Sequence, residues 1–308
     1  MFGCAELVVR AYFAFLMSSI CVMVYLVARF IDRETSPVFA FFAVFLYASL
    51  IVRFETHADY MVAFLCMLAT LSFICSLSND RRMFACANFF IGLLAVLSFK
   101  SKETGLVFSG AIVILAFCRY WTVPIGTYFK VLKWILMGLT AGILAIVLLD
   151  GIFLGDYLYS FRLDNWREVL SYNNGFSSRK DTYENLFSVL TKSNLLLLLA
   201  FYVLSAVMVK NDRSMAERRW VWVIPSLFVS FLFVVTIVSK YNPSLLIRYV
   251  VPIEPLLCAL SIISLSRLLG KNINILILCG VVFLALLVNK LIEFYIYPIL
   301  SREYGWDG

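Results

Sequence analysis

The twenty residues from Trp134 to Phe153, WILMGLTAGILAIVLLDGIF, contain a single charged side chain and are long enough, as a helix, to cross a hydrocarbon core about 30 Å thick. Nine further stretches are read in the same way: Ala11 to Phe30, Pro37 to Val52, Tyr60 to Leu77, Met83 to Phe99, Gly105 to Cys118, Leu195 to Val209, Trp220 to Val238, Tyr249 to Ser266 and Ile275 to Val288. Composition agrees with that pattern. The 308 residues are 63% hydrophobic and 15% charged, with a mean hydropathy of +0.93, whereas soluble domains carry about 25% charged residues. The sequence therefore predicts an all-α polytopic bundle of about ten transmembrane spans, forming a single integral membrane domain over 1–308. A polar insertion at 155–194, between spans six and seven, is expected on the non-cytoplasmic side.

Basic residues orient the spans. The connections after spans one, three, five, seven and nine hold Arg29, Arg33, Arg81, Arg82, Arg119, Lys130, Lys133, Lys210, Arg213, Arg218, Arg219, Arg267 and Lys271. The opposite short segments hold only Arg10, Arg53, Lys100, Lys102, Lys240, Arg248 and Arg302. Short basic loops stay in the cytoplasm, so the richer side faces inward and both termini face outward. An outside N-terminus only ten residues long leads to the expectation that an upstream span precedes Met1. The excess of 26 Lys and Arg over 19 Asp and Glu is explained by orientation before any anionic partner, and nucleic acid is not expected.

The eight cysteines lie mostly in apolar runs without a CxxC spacing, which reads as packing and not as a disulfide framework or zinc site. His57 is the one histidine, so metal chemistry based on imidazole has almost nothing to work with, and neither metal nor cofactor is expected. P-loop, GxGxxG, HExxH and GxSxG motifs are absent.

The outward loops instead carry mixed charge: Arg53, Glu55, His57 and Asp59 before span three, Lys100, Lys102 and Glu103 before span five, Lys240 and Arg248 before span nine. Charge in hydrocarbon costs roughly 2.5–3.5 kcal/mol per residue, so such groups must reach water, a partner or a cavity. Their common side points to a site there. Each also has a plainer role: Arg53, Lys100 and Lys102 can snorkel to the headgroups, Glu103 can cap the fifth helix, and His57 suits the interface better than catalysis. Glu55 and Asp59, four apart, share a helix face and suit either acid–base work or a salt bridge. Glu254, between Pro252 and Pro255, needs a cavity or a base, and the two prolines are expected to interrupt the ninth span.

The Glu55-x-His57-x-Asp59 segment leading into an aromatic helix, the Ser101-Lys102-Glu103-Thr104-Gly105 turn, and Arg248-Tyr249-x-x-Pro252-x-x-Pro255 resemble the membrane glycosyltransferases of the C-type fold. The nearest likeness is to the protein O-mannosyltransferase and aminoarabinose-transferase superfamily. That resemblance implies transfer of a sugar from a polyprenyl-phosphate or dolichyl-phosphate carrier to a hydroxyl of a protein, lipid or glycan acceptor, at the periplasmic or lumenal face of a bacterial inner membrane or the endoplasmic reticulum. It implies Asp59, with Glu55 as its neighbouring alternative, as the acidic catalytic residue, and Lys102, Arg248 and Arg53 as phosphate-binding cations, with His57, Glu103 and Tyr249 in support. The family's first acidic position has no counterpart here, in keeping with a missing upstream loop. A transporter or flippase of a lipid-linked anion, or a truncated non-catalytic relative, are the alternatives. Against a transporter, the halves carry no internal repeat.

Overall fold

In the computed structural model, residues 2–32, 36–50, 59–77, 80–101, 103–119, 125–162, 199, 202–203, 206–207, 218–239 and 251–269 are described. Among them there is no strand. The helices are α1 (Phe2–Ile31), α2 (Pro37–Leu50), α3 (Asp59–Ser76), α4 (Arg81–Ser101), α5 (Glu103–Arg119), α6 (Ile125–Leu154), α7 (Trp220–Ser239) and α8 (Glu254–Leu269), with a 3₁₀ turn at Tyr159–Phe161 after α6. Three segments are long and apolar enough to cross a membrane by length and composition: Val8–Ile31, Arg81–Ser101 and Ile125–Leu154. Eight of the ten sequence-read spans coincide with a helix. The expected seventh span is helical at its described positions, 199, 202–203 and 206–207, and the tenth lies outside the described residues.

Three boundaries differ from the sequence reading. Helix α1 starts at Phe2, nine residues before Ala11, so the residues read as a short outer N-terminus are helical. Helix α6 starts at Ile125, nine residues before the apolar run, because Lys130 and Lys133 lower the hydropathy of a turn that is nonetheless helical. Helix α8 starts at Glu254, so Pro252 precedes the helix and Pro255 occupies its first turn, where the missing N–H has no intrahelical partner to lose. The prolines begin this helix; they do not interrupt it.

The surface is the inverse of a soluble protein's. Phe15, Phe41, Ile152 and Phe153 are each more than 60% exposed, while Thr70, Asn88, Ser98, Ser109, Ser261 and Ser264 are buried. Four of these interior polar groups are satisfied on their own helix: Thr70 donates to Cys66 O at 2.9 Å, Asn88 to Phe84 O at 2.8 Å, Ser98 to Leu94 O at 2.6 Å and Ser264 to Leu260 O at 2.8 Å. Such an exterior is stable against hydrocarbon and not against water, and the chain is a membrane protein.

Helices α1 to α6 run alternately down and up; α7 runs up and α8 down. Tyr12 Oη donates to Met61 Sδ at 3.6 Å, so α1 and α3 start at one end, called upper here. At the lower end, Arg267 Nε meets Asp32 Oδ2 at 2.8 Å and Arg218 donates to Ile31 O at 2.7 Å, which joins the ends of α1 and α8 to the start of α7. Helix α8 is the innermost: Leu256, Leu257, Cys258, Ala259 and Leu260 are all fully buried, as expected of a helix apolar on every side. Pro225 lies inside α7, and Tyr202 Oη donates to Trp222 O beside Ser226 Oγ, a remedy for backbone carbonyls freed by a proline.

The tightest contact is between the parallel helices α4 and α6. A Cβ on Gly138 would lie 1.9 Å from Phe89 O, one on Gly92 would lie 2.2 Å from Ile135 O, and one on Gly142 would lie 2.8 Å from Val96 Cβ. Here the two backbones touch directly, as small residues permit in membranes, where association rests on packing. Replacement of Gly138 by leucine is expected to separate α4 from α6 and cost roughly 1–3 kcal/mol or more. Gly110→Ala, with nothing within 4 Å of the added carbon, is expected to be neutral or slightly stabilising. Thermal unfolding of the two variants in detergent checks the difference; equal midpoints would remove the glycine contact from its structural role.

Candidate functional site

The alternation of helices gathers ionisable residues at the upper end. Asp59, Glu103 and Glu254 are the first residues of α3, α5 and α8, positions at the end of a helix where backbone N–H groups are unpaired and the dipole is positive. Asp59 and Glu103 are placed by backbone position alone. Arg53, Glu55, His57, Lys102, Arg248 and Tyr249, the remaining residues singled out from the sequence, lie outside the described residues. All six adjoin, in sequence, helix ends that belong to this end of the bundle.

Beside these helix heads, α4 and α6 hold an ion pair. Lys100 Nζ lies 2.7 Å from Asp150 Oδ1, and Asp150 is 2% exposed. The second carboxylate oxygen accepts the backbone N–H of Ser160 at 2.9 Å, and Lys100 also donates to Ser160 Oγ. The chain leaving α6 turns through Gly155, whose φ of 67° is left-handed and favours glycine. Asp156 caps the following turn through Leu158 N at 3.1 Å and pairs with Arg162 at 2.9 Å. Asp150 thus ties three segments, the end of α4, the end of α6 and the first residues of the 155–194 insertion. Lys100 is a partner of a buried carboxylate, where the sequence offered headgroup snorkelling as one reading.

Asp150 is also the residue that sequence reasoning passed over. Its signal was present: a lone carboxylate in an apolar run demands a cation, and Lys100 lies fifty residues earlier, at the end of another ascending helix. Asp32 was missed similarly, and its partner Arg267 is 235 residues away.

A second polar group surrounds the head of α8. Tyr47 of α2 is 1% exposed, and its hydroxyl has no hydrogen-bond partner among the described residues. Half-buried Glu254, Tyr60 and Cys21 and fully buried Cys258 lie near that hydroxyl. Four helices, α1, α2, α3 and α8, therefore contribute polar atoms to one buried region beneath the upper end. Chemically, the upper end offers carboxylates as proton acceptors, with a lysine and phenols nearby. Among the described residues no three His, Cys, Asp or Glu side chains converge as metal ligands.

No protein-family model, no curated protein and no solved structure matches this chain.

Breaking the α4–α6 ion pair from one side leaves the other charge uncompensated. Lys100→Met is expected to destabilise by roughly 2 kcal/mol, between the values for exposed and fully buried pairs. Lys100→Met with Asp150→Leu is expected to recover most of that loss. A double-mutant cycle measured by unfolding in detergent reads the coupling, and additive single and double effects would show that the pair contributes nothing.

Proposed function

We propose that the chain is a multi-pass membrane glycosyltransferase that takes a sugar from a polyprenyl-phosphate or dolichyl-phosphate carrier and passes it to a hydroxyl acceptor. The supporting observation is the collection of Asp59, Glu103 and Glu254 at the heads of three helices that start at one end of the bundle. The basic residues Arg53, Lys102 and Arg248 adjoin those same helix ends in sequence. In this reading about ten spans cross the membrane in the C-type arrangement, the lower end is cytoplasmic, and the upper end faces the periplasm or lumen.

The reaction follows from the charges. Asp59, or Glu55 beside it, accepts the proton of the acceptor hydroxyl as its oxygen bonds to the anomeric carbon. The bond from that carbon to the carrier phosphate breaks, and the phosphate leaves with the electron pair. Lys102, Arg248 and Arg53 stabilise the departing dianion, arginine by two parallel hydrogen bonds and lysine as a point charge. His57, Glu103 and Tyr249 support the site. No metal or cofactor enters this scheme.

The test is transfer itself. With purified protein, a polyprenyl-phosphate sugar and a hydroxyl acceptor, Asp59→Asn is expected to lower kcat by about 10²–10⁴-fold, the usual share of a general base. Lys102→Ala is expected to act mainly on KM for the carrier. Transfer unchanged by both substitutions overturns the site assignment, and movement of the lipid across vesicles with no bond cleavage overturns the enzyme.

Orientation has its own check. In a cysteine-free background, Arg81→Cys at the lower end and Ser160→Cys at the upper end are expected to react with a membrane-impermeant maleimide from opposite sides, Arg81→Cys from the cytoplasm. Labelling of both from the same side contradicts the alternating topology.

A further inference from the structure

We propose that the groove between α4 and α6 binds one anionic glycerophospholipid from the leaflet at the lower end. The groove encloses about 720 Å³ and opens sideways, and its walls are Phe89 of α4 with Phe129, Leu132, Leu136, Met137 and Leu144 among the residues of α6. It reaches from Phe129 to Leu144, fifteen residues of helix, or about 22 Å. Half of a hydrocarbon core is about 15 Å, so the groove is long enough to hold one leaflet's acyl chain and to continue past it toward the headgroups at its lower end.

Charge selects the occupant. Lys133 lines the lower part of the groove, its ammonium 5.8 Å from the Trp134 ring centroid, and Lys130 lies almost one turn below it, next to Phe129 at the lower mouth. The register that sets Gly138 beside Phe89 and Gly142 beside Leu93, carried about two turns down, sets Lys130 level with Arg81. Arg82 lies seven residues before Phe89 and so on the same helix face, below the groove. Arg81, Arg82, Lys130 and Lys133 are all exposed, and among the described residues none forms an ion pair. The carboxylate at this rim is Asp80, which caps α4 by accepting Arg82 N–H at 2.9 Å. Four cations at and below the lower end of an apolar slot match a phosphate headgroup carrying net negative charge, and they discriminate against a zwitterion whose own cation would join them. This site is separate from the upper-end carboxylates and does not depend on sugar transfer.

Delipidated full-length protein in non-ionic detergent is titrated with phosphatidylglycerol and, separately, with phosphatidylcholine of the same chains, and retained lipid is read by native mass spectrometry. One phosphatidylglycerol is expected to be held at a concentration at least about fivefold below that for phosphatidylcholine, with the preference shrinking in high salt. Lys130→Ala with Lys133→Ala is expected to weaken phosphatidylglycerol roughly 25-fold, from about fivefold per lysine, and to leave phosphatidylcholine unchanged. Ala141→Trp, which fills the groove, is expected to remove both lipids. If that variant does not fold, the lysine pair decides alone, with Lys→Arg at both positions restoring retention. Equal retention of the two lipids, or lysine substitutions without effect, overturns the proposal. Displacement of the lipid by millimolar inorganic phosphate identifies a free-anion site instead and overturns it as well.

Discussion

Direct backbone contact between α4 and α6 is the constraint on which the rest of this architecture depends. With Gly92, Gly138 and Gly142 at the interface, the two parallel helices approach until a carbonyl of one meets the α-carbon of the other. Packing that close admits one register, because sliding either helix by a residue would bring a side chain where only hydrogen fits. The register then fixes what happens at both ends. At the upper end it delivers Lys100 to Asp150; at the lower end it brings Lys130 level with Arg81. The lipid-facing groove between the same helices follows from the geometry, since α6 continues past the glycines with large side chains directed outward.

Ion pairs perform complementary tasks at the two ends. Asp150 and Asp32 are both almost completely buried, and each is met by a basic residue remote in sequence, Lys100 in one case and Arg267 in the other. A buried carboxylate without a cation is strongly unfavourable, so each pair allows few alternative arrangements of the helices that carry it. The lower pair holds α1 against α8, the innermost helix, and the Arg218 bond to Ile31 O adds the start of α7. The upper pair anchors the beginning of the polar insertion through Ser160. Segments that the count of basic residues assigns to one side of the membrane thus meet at one end of the bundle, and those assigned to the other side meet at the opposite end.

Legibility differed with the kind of interaction involved. Apolar runs are local, and hydropathy therefore located the helices to within a few residues at most ends. The exceptions were the start of α1, where Glu6 and Arg10 lower the hydropathy of a helical segment, the start of α6, where Lys130 and Lys133 do the same, and the start of α8, where Pro252 and Pro255 mark a beginning that resembled an interruption. Glu103 was read as a cap of the fifth helix because capping depends on immediate neighbours, and α5 begins at that residue. The Lys100–Asp150 and Asp32–Arg267 pairs were not recognised, since each partner is unremarkable until the other is known.

What the sequence by itself determined is the class of environment and the positions of the helices, because burial of apolar surface in hydrocarbon acts residue by residue along the chain. It also determined that ionisable residues recur at alternate helix ends. Only the tertiary structure decided which of those residues meet, that Glu254 shares a buried region with Tyr47, and that Lys133 borders the groove beside α4. Those outcomes depend on helix register and on neighbours far apart in the chain. Register is set by steric fit at glycines such as Gly138, a contact between surfaces that linear spacing does not encode.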